Sequence, residues 1–317
     1  MYFLGFDIGG TKCAVVTAEC KEEHISFCER RELPTDLTVS AYEMISRLIR
    51  LADEILTKKP DAIGISCGGP LNEEQGVILS PPNLPSWDNI EIVRILEEHY
   101  GTRAYLENDA NACALAEWKY GAGRGCNNMI FMTFGTGLGA GLILDGRLYR
   151  GANGNAGEVG HIRLKGDGPV GFGKAGSFEG FCSGGGIRQL AIAMAKEAES
   201  QGQTPSYYQS GESGTTARTV AEAARNGDAV AVEVYRRSGA ALGMGLSFLI
   251  DVLNPERIVI GSVFARANDL LTSSMNEVLE HEALAPSLSA CRVVSAELGE
   301  RIGDYAAIAI AMIRSQQ

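Results

Sequence analysis

Residues 128–151 read NMIFMTFGTGLGAGLILDGRLYRG, and the punctuation of this stretch decides the fold. An apolar, β-prone run ends at Phe134, glycines at 135, 137, 139 and 141 crowd the turn, and a second apolar run follows. Asp145-Gly146 then marks a tight hairpin before RLY. The stretch therefore predicts strand, glycine turn, strand, Asp-Gly turn, strand. The chain opens with the same punctuation: YFLGFDI, the turn GGTK, CAVVTAE, the polar CKEEH, and ISFCERREL as a third strand. The letters barely match, whereas the breaks do.

Helices and buried strands follow the first meander. SAYEMISRLIRLADEILTKK carries Met44, Leu48, Leu51, Ile55 and Leu56 close to helical spacing. DAIGISCGGPL reads as a buried strand, NIEIVRILEEHYG as a helix stopped by Gly101, RAYLEND as a strand and ANACALAEWKYG as a helix. The second half is mostly helical over GGGIRQLAIAMAKEAESQG, over 216–253 as one run, and at a last helix ending at Arg314, with RIVIGS as a strand. Residues 201–214, QGQTPSYYQSGESG, predict a loop or flap. Two meander-plus-helix units imply two similar α/β domains facing one another across a cleft, where ligands gather at strand ends. The expected division is an N-terminal domain, 1–112, joined by a C-terminal helix at about 303–317, and a larger domain over 113–302.

The 317 residues suffice for two domains. With 45% hydrophobic and 21% charged residues, the composition is that of an ordinary globular protein. A net charge of −11 argues against a nucleic-acid groove, which needs excess Lys and Arg. No apolar run approaches the roughly 20 residues that span a bilayer, and Asp7 interrupts MYFLGF before it could act as a signal segment. None of the eight cysteines stands in a C-x-x-C pair, which fits reduced thiols in a cytoplasmic protein.

Three clusters carry chemistry. Asp7-Ile8-Gly9-Gly10-Thr11-Lys12 sets a carboxylate at a strand end before two glycines and a hydroxyl. Such a turn lets amides approach phosphate oxygens while the acid holds Mg²⁺, directly or through water; a plain hairpin would use the same letters. Gly135-Thr136-Gly137 repeats the theme. A G-x-G-x-x-A dinucleotide reading of Gly135, Gly137 and Ala140 fails, because a strand follows where that motif needs a helix, and no P-loop motif occurs. The two turns instead suit a two-jawed clamp on a nucleotide's phosphates. Asp109, at a strand-helix junction, suits a base toward a substrate hydroxyl, although Asn108 or Asp109 could simply cap the helix. Glu158 and His161, with Glu179 further on, could bind vicinal hydroxyls; a structural imidazole and two surface charges are the plainer alternative.

Taken together, DIGGTK, PNLPSW, ENDANACALAE, FGTGLGAGLILDGRLYRGANGNAGEVGH and LNPERIVIGS resemble, in order, the ROK family of bacterial sugar kinases and repressors. The resemblance implies a two-domain actin-like (ribonuclease H-like) ATPase fold with the active-site cleft between domains, using ATP and Mg²⁺. It implies Asp109 as catalytic base, with Gly69, Asn83, Asn108, Glu158, His161 and Glu179 around a hexose or amino-hexose. Phosphates would lie at Asp7, Gly9, Gly10, Thr11, Lys12, Gly135, Thr136 and Gly137, adenosine near Gly261, and the protein would be a homodimer. Family repressors carry an N-terminal helix-turn-helix; with the phosphate turn at residue 7, no such role and no nucleic-acid partner is expected.

Two departures stand out. Many members have C-x-C-G-x-x-G-C-x-E after the histidine and bind zinc there. In this chain the cysteine positions are Val170, Phe172 and Ser177, while Gly173, Gly176 and Glu179 remain, so no structural zinc is expected. The expectation is that apolar packing by Val170 and Phe172 replaces the metal. Ser262 follows Gly261 where relatives often have a second glycine. The competing readings are a non-catalytic sugar or nucleotide sensor, against which Asp109 speaks, and an actin-like ATPase acting on proteins, for which the Glu158, His161, Glu179 set would be superfluous.

Overall fold

The computed structural model describes residues 1–21 and 24–316, so the polar turn expected in CKEEH lies partly outside the described residues, at Glu22 and Glu23. The chain forms two compact units. One comprises 1–125, 148–156 and the chain from Glu297 on; the other comprises 126–147 and 157–296.

The first unit is built on β1 (Tyr2–Ile8), β2 (Lys12–Lys21), β3 (His24–Pro34), β4 (Ala62–Cys67) and β5 (Ala104–Asn108), in the order β3-β2-β1-β4-β5. The meander β1-β2-β3 is antiparallel, and β4 and β5 add in parallel. All six residues of β4 are buried, as expected of a central parallel strand covered on both faces. One face is covered by helix Ala41–Ile55, which buries Met44, Leu48 and Ile55 and is capped by Ser40 accepting from the Glu43 amide. Helix Ile302–Arg314 covers the other face with Ile308, Ala311 and Met312. A side chain at Gly64 would collide with the Ala307 carbonyl, so strand and helix backbones touch there.

A second sheet repeats the plan with β6 (Met129–Phe134), β7 (Leu138–Leu144), β8 (Arg147–Tyr149), β9 (Arg257–Ile260) and β10 (Arg292–Ser295), ordered β8-β7-β6-β9-β10; all of it but the end of β8 lies in the second unit. Again β6 and β7 are antiparallel, and β9 and β10 run parallel to β6. Two sheets with one order and one set of parallel pairs form the ribonuclease H-like plan that the family resemblance implies, each opening with the meander read from the sequence.

Two expectations need correction. The run 216–253 is two helices, Ala217–Arg225 and Ala229–Leu253, because Gly227 takes a φ of +88° and Asp228 caps the second through the Val230 and Ala231 amides. Residues 201–214 do not form a free flap: Tyr207 and Tyr208 are buried, and the Tyr207 hydroxyl donates to the Ala191 carbonyl at 2.9 Å. Helix Val263–Glu282 and strand β10 are further elements that the sequence pattern does not announce.

Candidate active site

In the first unit the parallel register puts Asp7, Cys67 and Asn108 at adjacent carboxyl ends, since Asp7 pairs with Ser66 and Cys67 with Asn108. That edge is where open α/β sheets bind ligands. The turn after Asp7 is tightly held: the Gly9 amide donates to the Lys12 carbonyl at 3.1 Å, and the Thr35 hydroxyl donates to the Gly9 carbonyl at 2.6 Å. A Cβ on Gly10 would run into Asn83, so PNLPSW lies directly against the glycine turn. Thr11 is exposed, and the exposed Lys12 ammonium reaches 3.4 Å to Glu32.

The cap reading of the Asn108-Asp109 junction holds. The Asn108 side-chain oxygen caps helix Asp109–Tyr120, accepting from the Ala110 amide at 2.9 Å and the Asn111 amide at 3.3 Å. Its Nδ2 lies beside Gly69, and Gly68 lies beside the Asp109 carboxylate. Asp109 is exposed, yet the protein crowded around it pushes its carboxyl above the ordinary aspartate value, against the bond it accepts from Ala110. Burial raises Asp7 to about 6, with the charges of Asp109 and Asp304 adding to it and those of Lys12 and Arg30 opposing. Two carboxylates under mutual repulsion suit a divalent cation. Among the described residues no group of three His, Cys, Asp or Glu side chains could hold a metal; the Asp7 carboxylate is a hard oxygen donor that fits Mg²⁺ carried mainly by phosphates and water.

In the second unit the Gly135-Thr136-Gly137 turn closes on itself, the Gly135 amide donating to the Gly137 carbonyl at 3.0 Å. Among the described residues the Thr136 and Gly137 amides have no backbone partner. Glu179 is tied to this turn, accepting from the Leu138 amide at 3.0 Å. Gly160 packs against the Glu179 stem, which brings the Val159–His161 turn to the same place; Glu158 precedes that turn and is exposed. Gly261 lies against Phe131, and Ser262 near Gly135 holds a φ of +56°, keeping a glycine-type backbone without the glycine. Sequence reasoning missed Gly184, whose amide donates to the Gly135 carbonyl at 2.7 Å; the signal was a serine followed by three glycines opening a helix. It also missed Glu107 and Arg150.

The cysteine-free loop is not held by apolar packing. Val170 is 45% and Phe172 67% exposed, because the hairpin of 170–171 with 174–175 turns them outward. Polar contacts hold it instead. The Gln189 side chain bonds both the amide and carbonyl of Val170, Lys174 Nζ donates to the His161 carbonyl at 2.7 Å, and the Gly176 carbonyl accepts from Leu164 and Lys165. Phe172 does meet the His161 ring, edge to face, with centroids 5.0 Å apart.

The model of the ROK family matches residues 3–313. A glucokinase of Halalkalibacterium halodurans is 31% identical over 310 residues, covering 95% of this chain and 92% of its own length. The ROK hexokinase of Thermus thermophilus superposes with a TM-score of 0.82 at 29% identity, covering 100% of this chain and 99% of that one. A ROK glucokinase of Streptomyces griseus, solved with glucose and AMPPNP, does so with 0.79 at 28%, covering 99% and 100%.

Proposed function

The chain belongs to the ROK family, and from that premise we propose a sugar kinase that transfers the γ-phosphoryl group of ATP to a hydroxyl of a hexose or amino-hexose, with Asp109 as general base. Sugar phosphorylation agrees with glucokinase relatives that match nearly end to end. The observation that carries the finer reading is the Asp109 carboxylate at the carboxyl end of β5, with a raised proton affinity, beside Asp7 and a glycine turn.

Asp109 accepts the proton of the sugar hydroxyl, and the freed oxygen attacks the γ-phosphorus in line as ADP leaves. Asn108 keeps its oxygen in the helix cap and so offers its amide, together with Asn83 and the Gly69 backbone, to sugar hydroxyls. Glu158, His161 and Glu179 bind further hydroxyls, and the bond Glu179 accepts from Leu138 ties its carboxylate to the Gly135–Gly137 turn. The amides of Gly10 and of Thr136-Gly137 receive phosphate oxygens, the Gly9 amide holding its turn closed through Lys12, with Gly261 toward adenosine. Mg²⁺ held by Asp7, directly or through water, would offset phosphate charge.

Incubation with Mg·ATP and glucose, other hexoses, ketoses and N-acetyl amino sugars, read by phosphorus NMR, tests the reading. A new sugar-phosphate ester is expected with at least one of them. Binding of sugar and ATP without any ester would favour the sensor.

A further inference from the structure

Of the motif ENDANACALAE, the function above uses Asn108 and Asp109 and leaves its first residue unexplained. Glu107 is 1% exposed, two residues before the base, and both its oxygens are engaged. Oε1 accepts from Asn111 Nδ2 at 3.0 Å. Oε2 accepts from Arg150 Nε at 3.0 Å and from the same guanidinium's Nη2 in a very short contact. Asn111 stands two residues after the base, so the Glu107–Asn111 bond closes around Asp109 from both sides, with the Asn108 cap inside it. Arg150 begins the loop 150–156, and its carbonyl accepts from the Ala156 amide at 3.1 Å. That loop runs on through Gly157 into Glu158 and His161.

We propose that Glu107 and Arg150 are a positioning pair for phosphoryl transfer, fixing the turn that carries Asp109 and the loop that leads to the sugar-binding residues in one geometry; this rests on the kinase reading. Stability alone does not account for the pair. Glu107 is buried while the Arg150 side chain is 28% exposed, with Arg314 Nη1 4.0 Å from the same Oε2; a buried carboxylate pays heavily for lost hydration, and well-packed apolar residues serve a fold as well or better. What apolar residues cannot supply is direction. The two-donor grip of Arg150 on one oxygen leaves the other for Asn111, and the backbone between them cannot rotate without breaking a buried bond.

Steady-state kinetics of Arg150→Lys, Arg150→Met, Glu107→Gln and the Glu107→Gln/Arg150→Met double variant test it against wild type, on soluble protein matched for folded fraction. The KM for ATP should be unchanged throughout. Arg150→Met should lower kcat by about 10²-fold, the scale of a small misplacement of a reacting group, and Arg150→Lys should recover part of it. The double variant should be little worse than the more damaged single one. Arg150→Lys keeps the charge and Glu107→Gln the shape, so these two decide if Arg150→Met is not recovered folded. Wild-type kcat and sugar KM in both would overturn the proposal and leave the pair structural. No sugar phosphorylation by wild type would overturn the kinase reading, and this inference with it.

Discussion

At the scale of the residue, Asp7 carries the clearest electrostatic cost. A carboxyl raised from 3.8 to about 6 holds its proton more tightly folded than unfolded. Its charge therefore destabilises the ligand-free fold fully above about pH 6 and not at all below the unfolded value. Asp7→Asn should stabilise the ligand-free protein by on the order of 2 kcal/mol at pH 8, a gain that vanishes near pH 4. Urea unfolding at the two pH values checks this; an equal gain at both would point to packing instead. Ser262, at a φ of +56°, stores strain of about 1–3 kcal/mol, against a glycine entropy cost of about 0.5–1. Ser262→Gly should thus leave stability equal or slightly raised, and a clear fall in Tm would contradict the strain. That Asp7, Gly9, Gly10 and Asp109 stand at strand ends and turns was legible because such signals are local. Arg150 was not, for its partner Glu107 lies 43 residues away and nothing in RLYRG names it.

At the scale of the element, the loop after His161 shows where pattern reading stops. Absent thiols could be read from the letters, whereas what replaced them depended on which way a two-residue hairpin faces its side chains. Val170 and Phe172 face out, and Gln189, from a helix further along the chain, supplies the grip. Metal analysis of the purified protein should return no stoichiometric zinc; one zinc per chain would contradict this account of the loop. The split at Asn226-Gly227-Asp228 was readable as a glycine stop followed by an N-cap, but the unbroken helical composition on either side masked it. Helices Ala229–Leu253 and Val263–Glu282 meet through Gly239 and Gly243, where an added Cβ on Gly243 would come within 2.9 Å of the Val278 side chain. Gly243→Val should cost about 1–3 kcal/mol through overpacking, seen as a lower unfolding midpoint in urea.

At the scale of the whole molecule, the repeated plan was the most legible feature, since a glycine turn followed by a tight hairpin constrains strand direction wherever it occurs. The last helix, which the expected division joins to the first domain at about 303–317, packs on the first sheet where Gly64 meets Ala307; its apolar face alone would fit any layer. The proposed chemistry converges on one carboxylate, at the junction of β5 and the helix it opens. The most direct measurement is sugar-dependent ADP release from Mg·ATP by wild type and Asp109→Ala side by side, with nucleotide binding followed on the same samples. Wild type should turn over at least one sugar, and Asp109→Ala should lose about 10²–10⁴-fold in kcat while still binding ATP. Turnover by Asp109→Ala at the wild-type rate would contradict the assignment of the base.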